Sequence, residues 1–278
     1  MENVMPRKAD AYSVDATIHY LGPMAQRPQV WNEDFSRNIL TLEGVTMRIE
    51  DAGARERAPD LGTEGFALVP HKTDVASLSA PAASMDAYLD ELRSLLLALT
   101  RADHIDMAAA SVVRTSAQSA VGAETSPAVP FVHCDCSEAG LPGMLQWAYP
   151  PAPAKPRRRM ALYNLWRLLS PGPTGLPLAV CDARTLTRDD IVPGSSHFTS
   201  SSFTAEAVFV RPNAAHRWFY FPRMTSAEVL IFKQYDSDRR YPSQVPHTAF
   251  DNRALFPDAP PRVSIESRAV AYWYEEEC

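Results

Sequence analysis

The chain has 278 residues, 46% of them hydrophobic, which is enough to bury one full core and predicts a single domain. A formal net charge of -6 argues against a nucleic-acid partner, whose binders need a basic surface. No run of about eighteen apolar residues predicts a membrane span, and the polar start MENVMPRKADAYSV lacks the apolar core of a secretory signal, so the expected location is cytoplasmic, with no membrane partner.

Twenty-four prolines against eleven glycines point to rigid turns and strand ends rather than long helices. The polar stretch 26–61 holds one expected strand, 45–49, and the next, 65–69, is closed by Pro70. Ser84 is the expected N-cap of the best helix, SMDAYLDELRSLLLALTRA, with Asp86 at its positive end. Tyr88, Leu89, Leu92, Leu96 and Leu99 fall at helical spacing, a stripe expected to pack on a sheet. Beyond Ala108 the expected strands are 110–114, 130–134, 161–168, 178–182, 207–211, 217–221, 229–235 and 262–274, with short helices at 143–148 and 187–190. The run YPPAPAKPRRR, 149–159, reads as a proline-rich loop with a solvated basic end.

One amphipathic helix followed by many short strands is a mainly β pattern with flanking helices. It fits a double-stranded β-helix, the jelly-roll or cupin architecture. The expected layout is one domain over 1–278, with an N-terminal extension to about residue 60 and a jelly-roll core from about 61 to 278.

The chemistry is concentrated in three short segments. FVHCDCS carries His133 and Asp135 in an H-x-D pair, VPHTAF carries His247, and PPRVSIESR carries Arg262. Two histidines and one carboxylate are the protein ligands of a mononuclear non-haem iron(II) centre, leaving open positions for oxygen and a co-substrate. An H-x-D pair puts both side chains on one side of an extended segment. Such a pair alone is most often a polar or hydrogen-bonded surface feature. Here the later histidine and arginine follow in an order that gives each a role.

Arg262, Ser264, Glu266 and Arg268 share one face of the last strand. Arg262 with Ser264 suits the far carboxylate of 2-oxoglutarate, because guanidinium grips carboxylate in bidentate fashion. Arg268 is the second candidate; Glu266 is expected to pair with one arginine and leave the other for the co-substrate. In YNLWRLL, Asn164 and Trp166 point one way and Arg167 the other. Asn164 is expected at the co-substrate and Trp166 at the substrate wall, against the ordinary packing role of a large aromatic. Tyr220 is a second substrate candidate, its alternative being a buried tyrosine with a satisfied hydroxyl. Lys233 and Asp236 form either a structural pair or a further co-substrate contact. Cys134 and Cys136 beside His133 raise a zinc site, but Cys181 and Cys278 supply no second C-x-x-C, so free thiols are expected. His19, His71, His104, His197 and His216 lack partners at useful spacing and read as surface or hydrogen-bonded residues.

Taken in order, the blocks GFALVPHKT, YLDEL, HCD, NLWR, PLAVCDAR, RWFYFP, KQYDS, PHTAF and PRVSIESR make this chain resemble the cephem-methoxylase-like (AsaB-type) family of bacterial and fungal natural-product enzymes. The resemblance covers about residues 65–274. It implies a jelly-roll oxygenase using Fe(II), 2-oxoglutarate and O2, with His133, Asp135 and His247 as catalytic metal ligands. The implied substrate is a small molecule of secondary metabolism, altered by hydroxylation, desaturation or oxidative ring closure; a homodimer is the candidate assembly. Some members of the group are labelled methyltransferases, so a methyltransferase or a non-catalytic pathway subunit is the alternative. The chain has no Gly-rich strand-to-helix turn of the kind a Rossmann nucleotide site needs.

Overall fold

The computed structural model describes residues 12–74, 82–115 and 125–276, so Cys278 and the polar start of the chain lie outside the described residues. The first eight strands are β1 (Val14–Leu21), β2 (Gln29–Trp31), β3 (Leu42–Asp51), β4 (Phe66–Pro70), β5 (His104–Met107), β6 (Val112–Thr115), β7 (Thr125–Pro127) and β8 (His133–Cys134). The others are β9 (Arg157–Leu168), β10 (Leu178–Cys181), β11 (Ile191–Phe198), β12 (Phe203–Val210), β13 (Trp218–Tyr220), β14 (Glu228–Asp236), β15 (His247–Ala249) and β16 (Val263–Tyr274). Among the described residues two α-helices accompany them, α1 (Ala82–Thr100) and α2 (Leu141–Ala148).

The strands form two sheets, as the jelly-roll pattern requires. One runs β1-β3-β13-β10-β15-β8-β12-β11-β2, and the other runs β4-β14-β9-β16-β6-β7 with β5 also paired to β16. The segment before residue 61 supplies edge strands to the first sheet, β1 and β3 at one side and β2 at the other.

Strand alternation divides the second sheet into two faces. On the outer face Leu165, Ile231 and Ile265 pack against Tyr88, Leu89, Leu92 and Leu96 of α1. Each such buried side chain contributes roughly 1.5–3 kcal/mol, which is what holds a helix of this length in place. On the inner face Phe66, Trp166, Leu168, Leu230 and Phe232 meet Leu178, Val180 and Phe219 of the first sheet. The same inner face also carries Asn164, Ser264, Glu266 and Arg268, so one part of the inter-sheet space is apolar and the other charged.

Several expectations are corrected. The long helix begins at Ala82, which puts Ser84 inside the first turn rather than at the cap, and Leu99, the last residue of its stripe, is exposed. The strand expected at 130–134 has only His133 and Cys134 in the ladder. The basic end of the proline-rich run is strand: β9 starts at Arg157, and Arg159 pairs with Asp236 at 2.6 Å rather than standing in solvent. Strands β1, β2, β5, β7, β11 and β15 were not expected. Most are short, and β11 contains Pro193 and Gly194, residues that ordinarily argue against a strand. Gly194 is required there, because a Cβ would lie 2.4 Å from the Phe209 ring and 2.7 Å from the Pro28 carbonyl.

Candidate metal centre

The site begins with a register. β8 and β15 are antiparallel neighbours in which His133 stands directly opposite His247, with ring centroids 4.3 Å apart. Each imidazole has its Nδ1 beside a carbonyl two residues earlier: Phe131 at 3.0 Å for His133, and Val245 at 3.2 Å for His247. A carbonyl can only accept, so each Nδ1 carries the proton and each Nε2 keeps a free lone pair. Burial, with His247 adding to it, holds His133 down to about 3, and burial likewise lowers His247; both rings are neutral at physiological pH.

Asp135 completes the group. Its Oδ1 lies 3.7 Å from the Nε2 of His133 and 3.7 Å from that of His247. Its Oδ2 accepts hydrogen bonds from Asn164 Nδ2 and Arg268 Nε, both at 2.8 Å, and its backbone N–H donates to Gln234 Oε1 at 2.7 Å. Burial pushes the carboxyl upward, but Arg268 and the two histidines outweigh it and leave Asp135 well below the usual range. One oxygen is thus tied to the protein and the other faces two imidazole lone pairs. The three ligand atoms lie within 4.8 Å of one another, a set that suits a divalent cation with open positions.

Two spaces adjoin this cluster. A cavity of about 460 Å³ borders His133, Asp135 and Arg268, and its other walls include Phe131, Trp147 and Phe209. A narrow notch of about 20 Å³, room for one water, lies among His133, His247, Thr248, Trp166, Arg262 and Glu266. Arg114 borders both spaces.

The expected site residues distribute as follows. Arg262 lies in the notch, with Nη1 donating to the Leu176 carbonyl at 3.0 Å; burial and nearby Arg114 lower it to about 9, so it remains a cation at neutral pH. Ser264 is buried on the same face, and its Oγ has no hydrogen-bond partner among the described residues. Arg268 is engaged by Asp135 and by Glu266, whose Oε1 accepts from its Nη2 at 2.5 Å. Asn164 donates to Asp135, while its Oδ1 has no partner among the described residues.

Two substrate candidates fall elsewhere. Trp166 lines the notch, with the Arg262 guanidinium 5.7 Å from its ring, and does not border the large cavity. Tyr220 shares the face of Trp218, opposite inward-facing Phe219, and its hydroxyl donates to the Tyr12 carbonyl. Lys233 and Asp236 are an ion pair at 2.7 Å. Cys134, Cys136 and Cys181 are buried free thiols that burial pushes upward, and none joins the metal-ligating group. Sequence reasoning missed Arg114 and Gln234. Both lie on strands, but nothing in the sequence says which face those strands turn inward.

Comparison with known proteins follows the same lines. A family model described as "Oxidoreductase/YMDC permease-like domain" matches residues 18–272. Among curated proteins, the chain is 28% identical over 271 residues to the hydroxylase/desaturase CTB9 of Cercospora beticola, covering 89% of this chain and 82% of that one. It is 26% identical over 232 residues to the Fe(II)/2-oxoglutarate-dependent dioxygenase nvfI of Aspergillus novofumigatus, covering 81% and 82%. A solved structure of the iron and alpha-ketoglutarate-dependent endoperoxidase NvfI superposes with a TM-score of 0.78 at 23% identity, covering 95% of this chain and 99% of that one, which establishes the shared fold. No helix among the described residues is long and apolar enough to cross a membrane.

Proposed function

The chain belongs to the oxidoreductase/YMDC permease-like domain family, the AsaB-type oxygenases that its motif blocks resemble, and from that premise we propose that it is an Fe(II)/2-oxoglutarate-dependent oxygenase acting on a small molecule of secondary metabolism. His133, Asp135 and His247 are its three protein ligands to iron. The observation that carries this reading is the single free oxygen of Asp135, 3.7 Å from each Nε2, while the other oxygen is held by Asn164 and Arg268. The relatives' names, hydroxylase/desaturase, dioxygenase and endoperoxidase, belong to one chemistry. The whole chain acts as one domain, and three buried free thiols suit the reducing cytoplasm.

When bound, iron(II) with 2-oxoglutarate and O2 supplies the oxidising power to attack an unactivated C–H bond, the co-substrate leaving as succinate and carbon dioxide. The chain's own residues do the positioning. The Phe131 and Val245 carbonyls fix both imidazoles with Nε2 toward the metal position. Arg268 and Asn164 keep Asp135 ionised and prevent its rotation. Arg262 anchors the far carboxylate of 2-oxoglutarate, with the unpartnered Ser264 Oγ as a second donor on the same strand face. The notch must widen to admit it. The aromatic walls of the large cavity exclude water and hold the target C–H near the metal; that placement decides between hydroxylation, desaturation and ring closure.

Anaerobic titration tests this. Iron(II) and 2-oxoglutarate together, and neither alone, should give a weak visible charge-transfer band with this protein. Absence of the band together with calorimetric binding of S-adenosylmethionine would replace the oxygenase reading with the methyltransferase alternative.

A further inference from the structure

Arginines cluster where the inner face of the second sheet meets the metal position. Among the described residues beside that position, the guanidinium groups of Arg114, Arg262 and Arg268 lie near the carboxylates of Asp135 and Glu266. Arg268 is engaged with Asp135 and Glu266. Arg114, by contrast, makes no ion pair among the described residues, and its one hydrogen bond runs from Nη1 to the Pro127 carbonyl at 3.1 Å.

Its position is as telling as its charge. In the register of β6 with β16, Arg114 stands opposite Ser264, and it is the guanidinium that borders both the notch and the large cavity. Burial lowers its pKa, with neighbouring Arg268 adding to the effect and Glu266 and Asp135 only partly offsetting it. The cavity it faces, about 460 Å³ with Phe35, Phe131, Trp147, Phe198 and Phe209 in its walls, is the size of a two- or three-ring molecule. Glu33 also borders it, but at the exposed rim, where its carboxylate accepts from the Thr199 and Ser200 amides.

We propose that Arg114 is a substrate-binding residue, and that the substrate is an apolar, ring-bearing small molecule carrying one negatively charged oxygen group. This rests on the oxygenase reading, because that reading assigns Arg262 to the co-substrate. A guanidinium beside the metal position gives such a molecule a fixed end. Its ring system then lies along the aromatic walls, with the carbons next to the acidic group nearest His133 and Asp135.

The test uses 2-naphthoate and the neutral isostere 2-naphthamide as probes, with binding measured by calorimetry on the full-length protein. Wild type should bind the naphthoate about tenfold or more tighter, the scale of one charge-assisted contact. Arg114→Met should abolish that preference, Arg114→Lys should retain part of it, and both variants should keep the charge-transfer band with iron(II) and 2-oxoglutarate. Equal binding of the two probes by wild type, or a preference that survives in Arg114→Met, overturns the proposal. So does loss of the 2-oxoglutarate band in Arg114→Met with the naphthoate preference intact, which would assign the guanidinium to the co-substrate. If wild type itself gives no band, the oxygenase reading fails separately, and the probe comparison on metal-free protein still decides whether Arg114 binds anions.

Discussion

The second sheet holds a buried ion cluster on each face, and the two are built differently. On the outer face Asp236 has both oxygens occupied: Oδ1 by Arg159 Nε at 3.0 Å and the Asp238 amide at 3.1 Å, Oδ2 by Arg159 Nη2 at 2.6 Å and Lys233 Nζ at 2.7 Å. The Arg159 guanidinium is further held between the Tyr241 and Trp273 rings, 3.9 and 4.2 Å from their centroids. On the inner face Asp135 is tied by one oxygen only, and Ser264 Oγ and Asn164 Oδ1 have no partner among the described residues. A buried polar group left unpaired costs about 1–3 kcal/mol. The outer cluster closes on itself and needs nothing more; the inner one is complete only with something bound.

The sharpest way to break this contrast is to remove one member from each cluster. His247→Ala should reduce iron content to background, because it deletes one of three protein ligands, while thermal unfolding changes little. Asp236→Ala should do the reverse. It leaves Lys233 and Arg159 buried without a counter-charge, a loss of about 3–5 kcal/mol in denaturant unfolding, while the folded fraction binds iron as before. Metal analysis and unfolding curves on both variants decide the matter. Wild-type iron content in His247→Ala would move the third ligand elsewhere.

The next effect is smaller and separates the two arginines of β16. Arg262→Gln should raise the 2-oxoglutarate concentration needed for the charge-transfer band by roughly ten- to a hundredfold and leave iron affinity unchanged. Arg268→Gln should instead weaken iron by roughly ten- to a hundredfold, since it removes the group that orients Asp135. Opposite outcomes would exchange the two assignments while leaving the metal ligands in place.

The contrast also explains what was legible in the sequence. His133 and Asp135 could be read as a pair because a period of two needs no tertiary knowledge, and the shared face of Arg262, Ser264, Glu266 and Arg268 follows from the same rule. Which arginine Glu266 takes depends on side-chain reach, and here it is Arg268. His247 could be assigned by order but not by register, since its three-residue strand sits between prolines and polar residues with no alternation to read. Arg114 was hidden for a related reason. VVRT has too little pattern to show which face turns inward, and only its pairing with β16 puts the guanidinium opposite Ser264. Strands buried on both sides, such as WFY in β13, are uniformly apolar, so Phe219 and Tyr220 cannot be sorted between faces from sequence.

Tyr220 supplies the smallest test. It lies in the first sheet with its ring against Phe250 and its hydroxyl on the Tyr12 carbonyl, so Tyr220→Phe removes one hydrogen bond and no packing volume. Tyr12 is only partly buried, and water can take over the carbonyl, so the expected loss is about 0.5–1.5 kcal/mol of unfolding free energy. Iron affinity, the 2-oxoglutarate band and the naphthoate preference should all stay at wild-type values. A change in any of those three would mean that the outer face of the first sheet communicates with the metal position. The division into closed structural clusters and an incomplete functional one would then hold for the second sheet alone.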